Sequence, residues 1–196
     1  MEEQIINMPA VALRGLTILP GMIAHFDVSR ERSLRAIEEA MEQDQKIYLV
    51  TQKNVDREDP TQEDLYQMGI VADIKQVVRL QNDVVRILVD GISRAALLGF
   101  TGCEKYLEAE ICYCDSNADS LPEDLREAML LGVREAFHRY AAVVGKISKE
   151  LIRQIDQYED LEKLIDYVTN NLPVSYELKQ QVLEAEDIND RYQVIV

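Results

Sequence analysis

Tryptophan is missing from the sequence and phenylalanine occurs three times, so a core of this chain has to be mostly aliphatic. Histidine occurs twice, at His25 and His138, and neither belongs to an H-E-x-x-H motif; G-x-S-x-G is also missing. Those two routes to metalloprotease and α/β-hydrolase chemistry are closed. The three cysteines, Cys103, Cys112 and Cys114, are odd in number and spaced C-x8-C-x-C, which fits neither a disulfide framework nor the C-x2-C pairs of a zinc site. They are expected to be small core thiols in a reducing cytoplasm. Basic residues are scarce as well, 21 against 36 acidic, for a net charge of −15. The deficit is even: residues 1–114 hold 12 basic and 19 acidic side chains, and residues 115–196 hold 9 and 17. Phosphate neutralisation needs clustered Lys and Arg, so nucleic acid and anionic lipid are poor partners. The start, Met1-Glu2-Glu3, has no basic n-region and no long apolar run follows; the expectation is a soluble, cytoplasmic protein with no membrane span.

What is present falls into two halves with different periods. From residue 5 to 114 the apolar runs are short and β-branched: IYLV (47–50), IVADIKQVVRL (70–80), VVRILVDGI (84–92) and YLEAEICY (106–113). These read as strands. Gln81-Asn82-Asp83 separates two of them, and Asn and Asp tolerate left-handed backbone, so a hairpin is predicted there. Leu34, Ile37, Ala40 and Met41 recur at helical spacing, which predicts one helix over 31–43, and the polar stretch 53–64 predicts a surface loop. After residue 114 the period becomes helical. Ser120-Leu121-Pro122-Glu123 has capping-box form, and Leu125, Met129, Val133, Phe137, Tyr140 and Val144 make one stripe on a long helix ending near Gly145. Shorter helices are predicted over 148–155, 159–171 and 175–185, with Pro173 as a stop and Ser175 as a cap. The last ten residues, DINDRYQVIV, read as the first turns of a further helix that ends uncapped, as in a piece of a longer polypeptide. The predicted organisation is α+β: a β-rich unit over 1–114, a linker over 115–120, and a helical bundle over 121–196.

No motif supplies catalysis. YAAVVGKI, residues 140–147, ends in the Gly-Lys of a P-loop, but Tyr140 takes the place of its first glycine, Ile147 that of the Mg²⁺-binding hydroxyl, and the segment closes a helix. Carboxylate pairs such as Glu38 with Glu42 are what the surface helix of any acidic protein carries. No catalytic, cofactor or metal residue is therefore assigned, and binding surfaces become the question.

Several blocks in order resemble one family. VALRGLTILPGMIAHFDVSRERS (11–33), KIYLVTQK (46–53), GIVADIKQVVRL (69–80), VDGISRA (89–95) and NLPVSYELKQQVLEAEDINDR (171–191) are similar to the L-P-L-R-[DG], V-G-R-x-x-S, V-E-G-x-x-R-A and L-P-x…K-Q-x-x-L-E…D-[VI]-x-x-R segments of the N-terminal domain of Lon, the ATP-dependent bacterial protease. Ala12, Ser29 and Asp83 depart from it, standing where proline, glycine and glycine are usual. The resemblance implies a PUA-like, partly closed barrel followed by a helical bundle. It also implies a non-catalytic role in recognising unfolded or damaged proteins and degrons. ATP, Mg²⁺, the Ser-Lys dyad and most hexamer contacts would then belong to other parts of the parent enzyme. A module that only organises subunits, or a free-standing protein-binding adaptor, are the alternatives.

Arg14-Gly15 and Leu19-Pro20-Gly21 interrupt the first apolar run, since glycine permits positive φ and proline fixes its own. The bend is expected to leave Leu19, Pro20 and Met22 at a rim. Val77, Val78 and Leu80 lead to the hairpin tip, where both strand faces cannot easily be covered. These six residues are the candidate surface for client polypeptides, methionine being suited to adaptable apolar contact.

Overall fold

Runs such as IYLV, apolar at every position, suit strands covered on both faces. In the computed structural model, which describes residues 4–114 and 118–196 apart from the side chain of Asp119, that is where they lie. Among the described residues the chain forms six strands and six α-helices: β1 (Ile5–Leu13), β2 (Ile23–Val28), α1 (Glu31–Glu42), β3 (Lys46–Thr51), β4 (Met68–Arg79), β5 (Val85–Phe100), β6 (Glu108–Tyr113), α2 (Glu123–Val144), α3 (Lys149–Gln157), α4 (Leu161–Asn171), α5 (Tyr176–Glu184) and α6 (Ile188–Ile195). The chain divides into two compact units, 1–114 and 115–196. Part of the linker predicted over 115–120 lies outside the described residues.

In the first unit the sheet order is β2-β5-β4-β3-β1-β6, and β6 pairs back onto β5, so the strands run round into a partly closed ring rather than a true barrel. The β1–β3 pair is parallel and the others are antiparallel. Alternate residues serve two separate cores. Val11, Leu13, Ile47, Leu49 and Ile70 pack with Ala36, Ile37 and Ala40 of α1, while Ala10, Ala12, Tyr48, Val50 and Val71 pack with Ala95, Leu97 and Ile111 inside the ring. Tyr48 fills that inner core, donating its hydroxyl to the Ala95 carbonyl at 3.0 Å, and burial pushes its phenol pKa up.

The ring closes through irregular register. Lys75, Ile92 and Leu98 are extra residues at the three shifts between β4 and β5 and between β5 and β6. Such bulges bend and twist a strand. They also turn Ile92 and Leu98 outward, where they are 44% and 46% exposed. Asp73 and Asp90 stand directly opposite each other, and Lys75 reaches both carboxylates, at 3.1 and 3.9 Å.

In the second unit most helix starts are set by side-chain caps: Ser148, Asp160, Ser175 and Asp187 accept from the amides of Leu151, Lys163, Leu178 and Asn189. The helix start predicted at Ser120 lies two residues later. Proline occupies the N-cap position at Pro122, α2 has no side-chain cap, and a short 3-10 turn over Ala118–Ser120 precedes it. Met129, Val133 and Phe137 bury as the α2 stripe requires, but its ends, Leu125 and Val144, are each 44% exposed. Arg191, only 2% exposed, holds three segments together: it pairs with Glu162 of α4 and donates to the carbonyls of Ala185 (2.6 Å) and Glu186 (3.2 Å) ahead of α6. Removing one partner of such a buried pair leaves the other charge uncompensated. Arg191→Ala should lower stability by about 3–5 kcal/mol, whereas Arg153→Ala, which breaks an exposed pair with Glu150, should cost under about 1 kcal/mol. Urea unfolding followed by far-UV circular dichroism checks both.

Candidate functional site

β3 pairs with β4 only along Ile70–Asp73, so beyond Asp73 the β4–β5 hairpin runs on with β2 on its other side. Its tip is a tight turn in which Asn82 and Asp83 both take left-handed backbone, at φ 60° and 57°, as the sequence predicts. Leu80 N donates to the Val84 carbonyl at 2.8 Å and closes it. α1 lies along the same side. Its Leu34 and Ile37 face Val77, Leu80, Val84 and Val85 across a groove of about 470 Å³. Glu31, Glu38, Arg79 and Asp83 also line it, with Arg79 3.6 Å from Glu38 in an exposed pair that contributes little.

The six residues singled out from sequence do not form one patch. Val77 and Leu80 line the groove, Leu80 being 39% exposed. Val78 alternates to the opposite face, 40% exposed, where its cross-strand neighbour is Arg86. Arg86 grips Asp27 through Nε (2.6 Å) and Nη2 (2.9 Å), which holds the Asp27 carboxyl below its usual range. Pro20 and Met22 are half-buried, and Met22 packs on the α1-side core.

Leu19 is a correction: it is 0% exposed and cannot lie at a rim. The bend is real, with Gly15 and Gly21 at φ 61° and 70°, but it folds inward. Gly21 N donates to the Gly91 carbonyl (2.8 Å) and Gly91 N to the Met22 carbonyl (3.0 Å), while a Cβ on Gly91 would run into the Leu19 carbonyl. Thr51 Oγ1 donates to the Leu16 carbonyl at 2.9 Å and fixes the start of the same loop. Docked at both ends, the loop drives Ile18 and Leu19 into the core.

The α1 wall of the groove escaped the sequence reading, in which Leu34 and Ile37 served only to predict a helix over 31–43. The available signal was that Leu34 begins the stripe, one turn from the helix start, where cover is thinnest.

A wider hollow of about 970 Å³ in the helical unit, between α2 and the α3–α4 turn, is lined by charges of both signs such as Arg126, Glu127, Arg134 and Asp160. It offers less apolar contact than the groove. His138 Nε2 lies 2.8 Å from Asp156 Oδ1 and ties α2 to α3. Among the described residues no group of three or more His, Cys, Asp or Glu side chains is placed to hold a metal, and no helix is long and apolar enough to cross a membrane.

The family model of the ATP-dependent protease La (LON) substrate-binding domain matches residues 7–196. The chain belongs to this Lon domain family. It is 37% identical over 98% of its length to a Lon protease of Lachnoclostridium phytofermentans and 35% identical over 96% to one of Clostridioides difficile. It is 31% identical over its whole length to Lon protease 1 of Bacillus subtilis. The chain spans about a quarter of these curated relatives, 24%, 24% and 25%. Two solved structures share the fold. The N-terminal domain of Mycobacterium avium complex Lon protease superposes with a TM-score of 0.79 at 19% identity, over 97% of this chain and 96% of that one. The Lon N-terminal domain protein from Xanthomonas campestris gives 0.65 at 13%, over 96% and 95%. The fold expected from the family resemblance is therefore the fold found.

The hairpin that carries one wall of the groove depends on its left-handed tip. Asp83→Val should destabilise the chain by about 1–2 kcal/mol, the cost of a branched side chain in that conformation, and Asp83→Gly should not; thermal unfolding of the two variants checks it.

Proposed function

We propose that the chain is the client-recognition domain of an ATP-dependent Lon-type protease. It holds unfolded or damaged polypeptide segments and presents them to an ATPase module, using ATP and Mg²⁺, and to a Ser-Lys protease module, both in parts of the relatives' length that this chain does not span. In this reading the parent is a cytoplasmic hexameric serine endopeptidase, and the chain itself does no chemistry. The match to the Lon substrate-binding domain across residues 7–196 carries the proposal.

The α1–hairpin groove is the surface we assign to clients, with Val77 and Leu80 now joined by Leu34 and Val84. Seating one aliphatic side chain yields about 1.5–3 kcal/mol, while micromolar affinity needs about 8 kcal/mol beyond the ordering costs. A groove of this size takes only one or two side chains, so single engagements are weak and release easily. Six domains around one entrance raise the effective concentration enough for such sites to capture a chain. The net charge of −15 keeps neighbouring domains from aggregating and disfavours acidic clients.

Titrating the chain with a permanently unfolded protein and with its native form tests this by fluorescence anisotropy. Binding should be confined to the unfolded form and weaken about fivefold or more, near 1 kcal/mol, in Leu80→Ser and Val84→Ser. Ile23→Ser, a change at an apolar residue 68% exposed on β2, should leave it unaltered. Equal binding of both forms, or equal loss in the β2 variant, would remove the groove from the proposal.

A further inference from the structure

The chain between β1 and α1 leaves a second, smaller hollow of about 190 Å³ that the groove reading does not use. Leu16 and Phe26 supply apolar wall, Arg14, Arg30, Ser29 and Ser33 supply polar groups, and the one acidic side chain in the lining, Asp27, is held by Arg86. Each arginine is anchored through one nitrogen. Arg14 Nη2 donates to the carbonyls of Arg57 (3.2 Å) and Glu58 (3.5 Å), and Arg30 Nη2 donates to Gln52 Oε1 (2.7 Å) and to the same Arg57 carbonyl (3.3 Å). A shared acceptor brings the two guanidinium groups side by side. Their Nε and Nη1 atoms make no hydrogen bond, and neither arginine forms an ion pair, among the described residues.

Two adjacent cations without a carboxylate in contact are unexpected on a chain of net charge −15. Burial, and then the neighbouring Arg14, push the Arg30 pKa below its ordinary value; Asp59 and Glu58 of the loop offset this in part. The other acids nearby are engaged elsewhere, Asp27 by Arg86 and Glu31 by Arg35. Ser33 is 3% exposed, lines the hollow, and its hydroxyl has no hydrogen-bond partner among the described residues. It sits in the first turn of α1, whose N-terminus has no side-chain cap and favours negative charge.

We propose that this hollow binds the C-terminal carboxylate of a polypeptide whose last side chain is apolar. The two carboxylate oxygens accept from the unengaged nitrogens of Arg14 and Arg30 and from Ser33, and the terminal side chain lies on Leu16 and Phe26. Planar, paired donors suit a carboxylate, and an apolar wall immediately beside them suits a residue that carries both groups. An internal Asp or a free phosphate would leave that wall uncovered. The site is distinct from the α1–hairpin groove and holds whether or not the groove takes clients. Ser29 lines both hollows, so a chain anchored here can continue along α1 into the groove.

The test uses the full 196-residue chain and a fluorescein-labelled peptide of Gly, Ser and Asn ending in Leu, as free acid and as amide, followed by anisotropy. The free acid should bind about tenfold more tightly or better, equivalent to about 1.4 kcal/mol. Arg14→Gln and Ser33→Ala should each shrink that ratio, and Leu80→Ser should not. Arg14 is exposed and bonds only loop carbonyls, so its loss leaves the fold intact, which thermal unfolding verifies. Equal binding of acid and amide, or a ratio unchanged in both Arg14→Gln and Ser33→Ala, overturns the proposal. So does displacement of the labelled peptide by inorganic phosphate, or by an amidated peptide ending in Asp, as effective as that by the unlabelled acid.

Discussion

One edge of β5 has to serve two strands, and most of the first unit follows from how the backbone manages it. Along Val85–Asp90 that edge pairs with β2; along Ala95–Phe100 it pairs with β6, which closes the ring. A flat strand of 16 residues could not point at two partners in different directions. The shifts at Ile92 and Leu98 turn it, and Gly91, at the changeover, allows the β1–β2 loop to lie directly on its backbone. Below the changeover the strands enclose a core; above it β4 and β5 continue as a hairpin that needs α1 for cover. α1 covers only part of it, and the α1–hairpin groove is what remains.

This division explains what could be read from the amino-acid order. Strands buried on both faces announce themselves as unbroken aliphatic runs, the amphipathic spacing of α1 is clear, and Asn82-Asp83 has few conformations open to it other than a tight reverse turn. Ser148, Asp160, Ser175 and Asp187 mark helix starts through hydrogen bonds to residues two or three positions on, the distance over which sequence reading is reliable. Ser120 shows the limit of that rule, because the proline two residues later takes the N-cap position itself.

What was not legible rests on contacts between residues far apart in the chain. Leu19 looks like the apex of an exposed bend until the backbone of Gly91, about seventy residues away in the sequence, is placed against it. The two walls of the groove come from α1 and from the hairpin, and each looks complete alone. Arg14 and Arg30 read as ordinary surface charge because what draws them together, the carbonyl of Arg57, belongs to a loop with no pattern of its own. Composition and local period carry the fold; neither carries the meeting of two distant side chains.

The bulges have a further effect on how the outside of the molecule should be understood. Ile92 and Leu98 are greasy and uncovered, yet each sits where a strand has been given one residue too many so that the sheet can curl. An oily spot of this origin is a by-product of curvature, fixed in place by the backbone. A map of surface greasiness alone would rank it with Leu80, and would mistake the seams of a rolled sheet for an appetite for partners.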